Sequence, residues 1–407
     1  MTAHHRFLIA SIVAPAAALL YVAGCRARAG RDNLPAHATA ARTPPGRARA
    51  ISTNPMPATV TLTGNSGDER DYSGSTACRE CHSNEFAENQ ATRHAHTMGS
   101  LRSLASSVCL PPVGRVRGLP YVINRANGTY QIRDASVHPV SQRLDLRLGS
   151  GKTGVTYITP LKDDYLFEAR YSYFPSLKRW YITPGQEDYP QGDLGVDRNG
   201  LIGRHCISCH STFVAAKSLR PERRFYGVGC ESCHGPGASH VRAMHGRVAR
   251  QPTMDSLSKW SPLRINTLCG RCHRTAADLT TPLEKTETQR FQPYAIMASP
   301  CYKGSGGRLS CLTCHRPHEN VSLDMRKYET VCRSCHGGSS LTTTSTSVKA
   351  SICKVNPATG CIACHMPQRE AFIGTDLPTT MADHLIGVYR SRAFRPATNG
   401  GANRQHE

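Results

Sequence analysis

Seven copies of the pattern Cys-x-x-Cys-His run through this chain and take up 14 of its 18 cysteines. They comprise Cys78, Cys81 and His82; Cys206, Cys209 and His210; Cys230, Cys233 and His234; Cys269, Cys272 and His273; Cys311, Cys314 and His315; Cys332, Cys335 and His336; and Cys361, Cys364 and His365. Composition alone would give roughly 0.04 copies. A Cys-x-x-Cys pair can serve as half of a zinc site, as a redox dithiol, or, with His directly after it, as the thioether anchor of a c-type haem. Zinc sites and dithiols have no use for a histidine behind every second cysteine. A haem does: the two thiols bond to its vinyl carbons, a two-residue spacer lets one turn reach both, and the adjacent imidazole falls under the iron. The sequence therefore predicts seven covalently attached haem c groups, with the seven motif histidines as proximal iron ligands.

That expectation changes how the composition reads. The chain has 407 residues, a formal charge of +21, only 6% aromatics, 34 Gly and 26 Pro. Aromatics that sparse are thin material for an ordinary core of this size, and porphyrins are expected to supply the buried apolar mass. Two propionates per haem offset much of the basic charge, so a nucleic-acid partner is not expected. The fold class expected is mainly α with little regular structure, organised around stacked haems, plus a small β-rich insert.

The N-terminal apolar run from Phe7 to Ala23 is short for a membrane span and typical of an export signal. Val22-Ala23-Gly24-Cys25 resembles a bacterial lipobox, which makes residues 1–24 a signal peptide and Cys25 a lipidated membrane anchor. Residues 25–70, rich in Ala, Arg, Pro, Thr and Gly, read as a disordered tether. A first haem segment follows at 71–112, a β-rich insert at 113–200, a hexahaem segment at 201–390 and a tail at 391–407. Within the insert, Asn127-Gly128 marks a hairpin turn, and Leu144 to Leu148 alternates as a half-buried strand does. A periplasmic or cell-envelope location follows, with redox proteins as partners.

Several stretches resemble the multihaem cytochromes related to the tetrahaem carriers of nitrifying bacteria and to hydroxylamine-oxidoreductase-like proteins. They are the segment from Ala77 to Met98, with Thr92-Arg93-His94-Ala95; Gly227 to His240; the doubled motif from Cys311 to His336, with Pro317-His318; and Cys361 to Val388, with Met366-Pro367. The resemblance implies a c-type multihaem fold with closely packed haem pairs. It marks His94, His240, His318 and His384 as distal iron ligands. His205, beside Cys206, is the next candidate; His96, His138 and His245 compete for the remaining irons, and His37 and His406 are read as bystanders. Cys109, Cys301 and Cys353 lie outside the motifs, and the pair Cys301–Cys353 is the favoured disulfide. The function expected is electron transfer by a heptahaem cytochrome, with no catalytic residue assigned. The alternative is an oxidoreductase in which one five-coordinate haem acts on a small nitrogen or sulfur compound.

Overall fold

The computed structural model describes residues 67–102, 111–116, 119–135, 141–190, 193–246, 254–279, 288–337, 352–356, 358–372, 375 and 377–389. The expected signal peptide with His4 and His5, Cys25, residues 26–66 with His37, and Cys109, His138 and His406 lie outside the described residues. No helix among the described residues is long and apolar enough to cross a membrane.

Asn127 and Gly128 both adopt positive φ, 49° and 72°, the turn whose twist suits two antiparallel strands. They join β3 (Tyr121–Ala126) to β4 (Thr129–Asp134), as the sequence leads one to expect. With β2 (Gly114–Arg115) and β5 (Ser141–Leu144) these form a four-stranded antiparallel sheet in the order β2-β3-β4-β5. A second, five-stranded sheet has the order β1-β6-β7-β8-β11. Its strands are β1 (Met98–Ser100), β6 (Leu146–Leu148), β7 (Thr156–Pro160), β8 (Leu166–Ala169) and β11 (Gly195–Arg198). Strands β9 (Tyr171–Phe174) and β10 (Arg179–Ile182) form a hairpin, and β12 (Gln368–Glu370) pairs with β13 (Thr380–Ala382) beside the last motif.

These thirteen strands in four antiparallel sheets overturn the expectation of a mainly α chain with a small β insert. The β part has its own core, in which Tyr121, Ile123, Ile132, Leu144, Val155, Tyr157 and Phe167 are buried together. Nor is it confined to the stretch between the first haem segment and the rest. Strand β1 belongs to the first haem segment and pairs with β6 in the register Met98↔Leu148, Gly99↔Arg147, Ser100↔Leu146. A second core joins Met98, Leu146, Leu148, Ile158 and Leu166 to Ile207, which lies inside the second motif. Such pairing is non-local and leaves no periodic trace in any single stretch of sequence.

The alternation read from Leu144 to Leu148 also fails in an instructive way. Leu146 and Leu148 are buried, but so is Arg147, at 2% exposure. Its Nη1 donates to the backbone oxygens of His96 (2.8 Å) and Gly149 (2.5 Å). Its guanidinium crosses Gly99 so closely that a Cβ there would sit 2.8 Å from Nε, so glycine alone fits. The strand is covered on both faces, and its polar residue ties the sheet to the His94–His96 turn.

The helices are short: α1 (Ser83–Gln90), α2 (Gly200–His210), α3 (Cys230–His234), α4 (Ala238–Gly246), α5 (Pro262–His273), α6 (Gln292–Ala298), α7 (Pro300–Gly304), α8 (Cys311–Cys314), α9 (Arg326–His336) and α10 (Cys361–His365). Asn199 caps α2 by accepting from the Ile202 amide, and Ser261 caps α5 ahead of Pro262 in the first turn.

Arg147→Ala removes a buried cation and leaves two carbonyls without their donor, so it should cost about 3 kcal/mol. Denaturant unfolding followed by near-ultraviolet circular dichroism measures this; a loss below about 1 kcal/mol would show that the guanidinium does not hold the sheet to the turn.

Candidate haem-binding sites

Five of the seven motifs close or form a short helix: α2, α3, α5, α9 and α10 all end on the motif histidine. On a helix, residues i, i+3 and i+4 share one face, so the two thiols and the imidazole point to the same side. The fifth motif places its cysteines on α8, with His315 directly after it. In the first, Cys78 ends a 3-10 turn and His82 precedes α1.

The histidines are oriented from behind. A carbonyl oxygen only accepts hydrogen bonds, so a ring nitrogen facing one must carry the proton. Nδ1 of His210 donates to Thr97 O (3.0 Å), of His234 to Asp255 O (2.8 Å), of His365 to Gly387 O (2.7 Å) and of His384 to Ala382 O (3.0 Å). His318 Nδ1 lies 4.0 Å from a Glu88 carboxylate oxygen. For the four carbonyl-bonded rings the lone pair is left on Nε2, which is the arrangement of a metal-ligating imidazole. Loss of hydration is the main cause that lowers the pKa of His94, His210, His315 and His384, and it takes His273 down to about 4. His94 and His273 keep accessible surface. Only the neutral ring can donate to a metal.

Three pairs of these rings lie near each other, one edge-on and two tilted. His94 and His273 have ring centres 6.2 Å apart, His234 and His318 6.3 Å, and His315 and His384 6.3 Å. With a nitrogen–metal bond of about 2 Å and roughly 1.1 Å from nitrogen to ring centre, two imidazoles on opposite sides of one metal stand about 6.2 Å apart. Each pair joins a motif histidine to one of the distal candidates His94, His318 and His384.

The remaining candidates lie elsewhere in the motif-bearing segments. His205 lies in α2 beside Cys206, and its buried Nδ1 has no hydrogen-bond partner. His240 is half-buried on α4. His96 turns its Nε2 to Gln90 O at 2.8 Å, so that nitrogen carries a proton. His245 is exposed, with Nε2 3.7 Å from Glu80. His82 and His336 are exposed at their motifs.

Thr97 gathers these parts. Its side chain donates to His94 O (3.0 Å) and His210 O (3.1 Å), and its carbonyl accepts from the Gly149 amide (2.7 Å) and His210 Nδ1. The five-stranded sheet, the His94 turn and the second motif therefore meet at one residue. Sequence reading missed Thr97 and Arg147, because their roles come from tertiary contact.

The motifs touch out of sequence order. The thiols of Cys78 and Cys230, Cys209 and Cys272, and Cys269 and Cys311 hydrogen-bond in pairs. Helix α5 packs against α2 and α8, and α9 against α8 and α10. Asn266 holds the α5–α8 contact by accepting from the Cys311 amide (2.9 Å) and donating to Leu309 O (3.1 Å). The expected Cys301–Cys353 disulfide is not formed. Both are free thiols; Cys301 neighbours Cys335 and Cys314, and Cys353 Sγ accepts from the Asn356 amide.

A large apolar cofactor also fits the surface. Among the described residues the exposed large apolar side chains are Leu201, Met244, Leu263, Val321, Leu323, Met325, Ile352, Val355, Leu385 and Val388, all within the haem-bearing segments, with Val113 the exception. The β part, which has its own core, leaves almost nothing of this kind exposed. The donor set is cysteine sulfur plus imidazole, as a c-type haem requires.

The family model of cytochrome c554 and c-prime matches residues 189–235, the stretch with the second and third motifs. No curated protein matches the chain. Among solved structures, the outer cell wall cytochrome OcwA is similar at 16% identity and a TM-score of 0.44, over 78% of this chain and 79% of that one, a likeness too weak to bear on fold or function. The family match and the repeated motif together support a c-type cytochrome that binds haem covalently and transfers electrons.

His94→Ala should turn one low-spin ferric signal into a high-spin one in electron paramagnetic resonance, because it removes one of two facing imidazoles. His96→Ala, two residues away, should leave the spectrum unchanged. The reverse result would show that the ring pairing is not ligation.

Proposed function

We propose that this chain is a heptahaem electron carrier of the bacterial cell envelope, akin to the tetrahaem carriers of nitrifiers and to hydroxylamine-oxidoreductase-like proteins. It would be tethered to the membrane by a lipid on Cys25 and would exchange electrons with redox partner proteins. The observation that carries the reading is the set of three imidazole pairs at metal-bridging distance. A bound haem supplies a reversible one-electron change at iron. An iron held from both sides would have no open position for a substrate, which favours electron transfer at the third, fourth and fifth sites.

The chain's own residues would then do four things. The fourteen motif cysteines anchor the haems. The seven motif histidines would each hold an iron, and His94, His318 and His384 would be the second ligands at the fourth, third and fifth sites. His205 and His240 are the candidates for two of the remaining irons. The Nδ1 bonds to carbonyls hold the imidazoles in one tautomer, so that a change of redox state does not have to reorient them. Helix packing sets the order in which sites meet: first beside third, second beside fourth, fourth beside fifth, then sixth and seventh. Loss of hydration pushes the thiols of Cys206 and Cys332 up to about 12 and of Cys233 to about 11.

Purified protein should contain seven covalent haems after acid–acetone extraction and give an almost wholly low-spin ferric spectrum that cyanide, nitrite and hydroxylamine do not perturb quickly. A high-spin signal of one haem in seven, shifting on addition of a small nitrogen compound, would overturn the carrier in favour of a reductase.

A further inference from the structure

Glu231 lies between the two cysteines of the third motif and has no exposed surface, at 0%. Its carboxylate is clamped by backbone amides from two directions. Oε1 accepts from Ser73 N at 2.9 Å and Gly237 N at 2.8 Å, and Oε2 accepts from Gly74 N at 2.7 Å. Ser73 and Gly74 lead into the first motif, and Gly237 follows the third. Gly74 adopts φ +80°, and a Cβ there would meet Arg224 O at 2.9 Å; a glycine is what lets this amide turn towards Glu231. The neighbouring contacts bring the two motifs together at the same point. The Cys230 amide donates to Ser75 Oγ at 3.1 Å, and α3 packs against the 3-10 turn that ends at Cys78.

The three amides are donors only, and between them they engage both oxygens of the carboxylate. Within protein the field of that charge is screened far less than in water. A haem iron gains one negative charge on reduction, and a fixed anion nearby opposes that gain. We infer that Glu231 is a potential-setting residue, whose buried charge between the first and third attachment sites favours the ferric over the ferrous state at those two sites. The step is a one-electron reduction of ferric to ferrous iron, with the electron supplied by a redox partner protein. The inference rests on the reading that both motifs carry haem.

The test is a redox titration of wild-type, Glu231→Gln and Glu231→Asp holoproteins, followed by electron paramagnetic resonance, after covalent haem has been counted in each. A wild-type protein without haem at these motifs would sink the reading beneath the inference, before any potential is compared. At equal haem content, Glu231→Gln keeps the shape and removes the charge. It should raise one or two midpoint potentials, each by a tenfold change in the reduction equilibrium, about 59 mV for one electron, and leave the others in place. Glu231→Asp keeps the charge and shortens the arm, and it should shift the same potentials by less than half as much. Unchanged potentials in Glu231→Gln, or equal shifts in both variants, would overturn the inference. So would failure of Glu231→Gln to mature while Glu231→Asp matures normally, since that marks a latch for folding alone.

Discussion

The motif-bearing part of this chain brings together pairs of imidazoles from residues far apart in sequence. His94 and His384 lie far apart in sequence from His273 and His315, yet their ring centres come within 6.2 and 6.3 Å of those partners. An iron between such rings would close a loop in the chain, much as a disulfide does, and closing long loops constrains the unfolded chain most in principle. With haem bound at these sites, closures of this kind would account for how a chain of short helices and 6% aromatics holds one arrangement.

The β part is what gives that arrangement its precision. Its two cores are ordinary ones, built from Tyr, Phe, Ile, Leu and Val on paired strands. Through Arg147 and Thr97 the sheet grips the turn that presents His94, and through Ile207 it grips the second motif. A ligand on a loop is positioned as well as the rigid element behind the loop allows. The strands therefore belong to the haem machinery as a mounting plate.

The legible part of the sequence was the local part. The seven motifs stand out because their chemistry needs residues at i, i+3 and i+4, a spacing any reader can count. The Asn127-Gly128 hairpin was legible for the same reason. His94, His318 and His384 were marked by family resemblance, but which motif each one faces was not, because that depends on folding. The size of the β part was missed because β1 pairs with β6 and β11 with β8 across long gaps. Arg147 was read as a surface position, since alternation assumes that one face meets water, and this strand is covered on both. Glu231 passed unnoticed because it occupies a variable position inside the motif; only the three amides around it give it a role. The Cys301–Cys353 pairing failed because sharing a segment says nothing about distance.

The most direct test of this account is an iron map of the intact holoprotein from anomalous X-ray scattering. The account predicts three irons midway between His94 and His273, His234 and His318, and His315 and His384, each about 2 Å from both Nε2 atoms. An iron at any of these motif histidines whose opposite side holds water or another residue, with His94, His318 or His384 turned away, would contradict it.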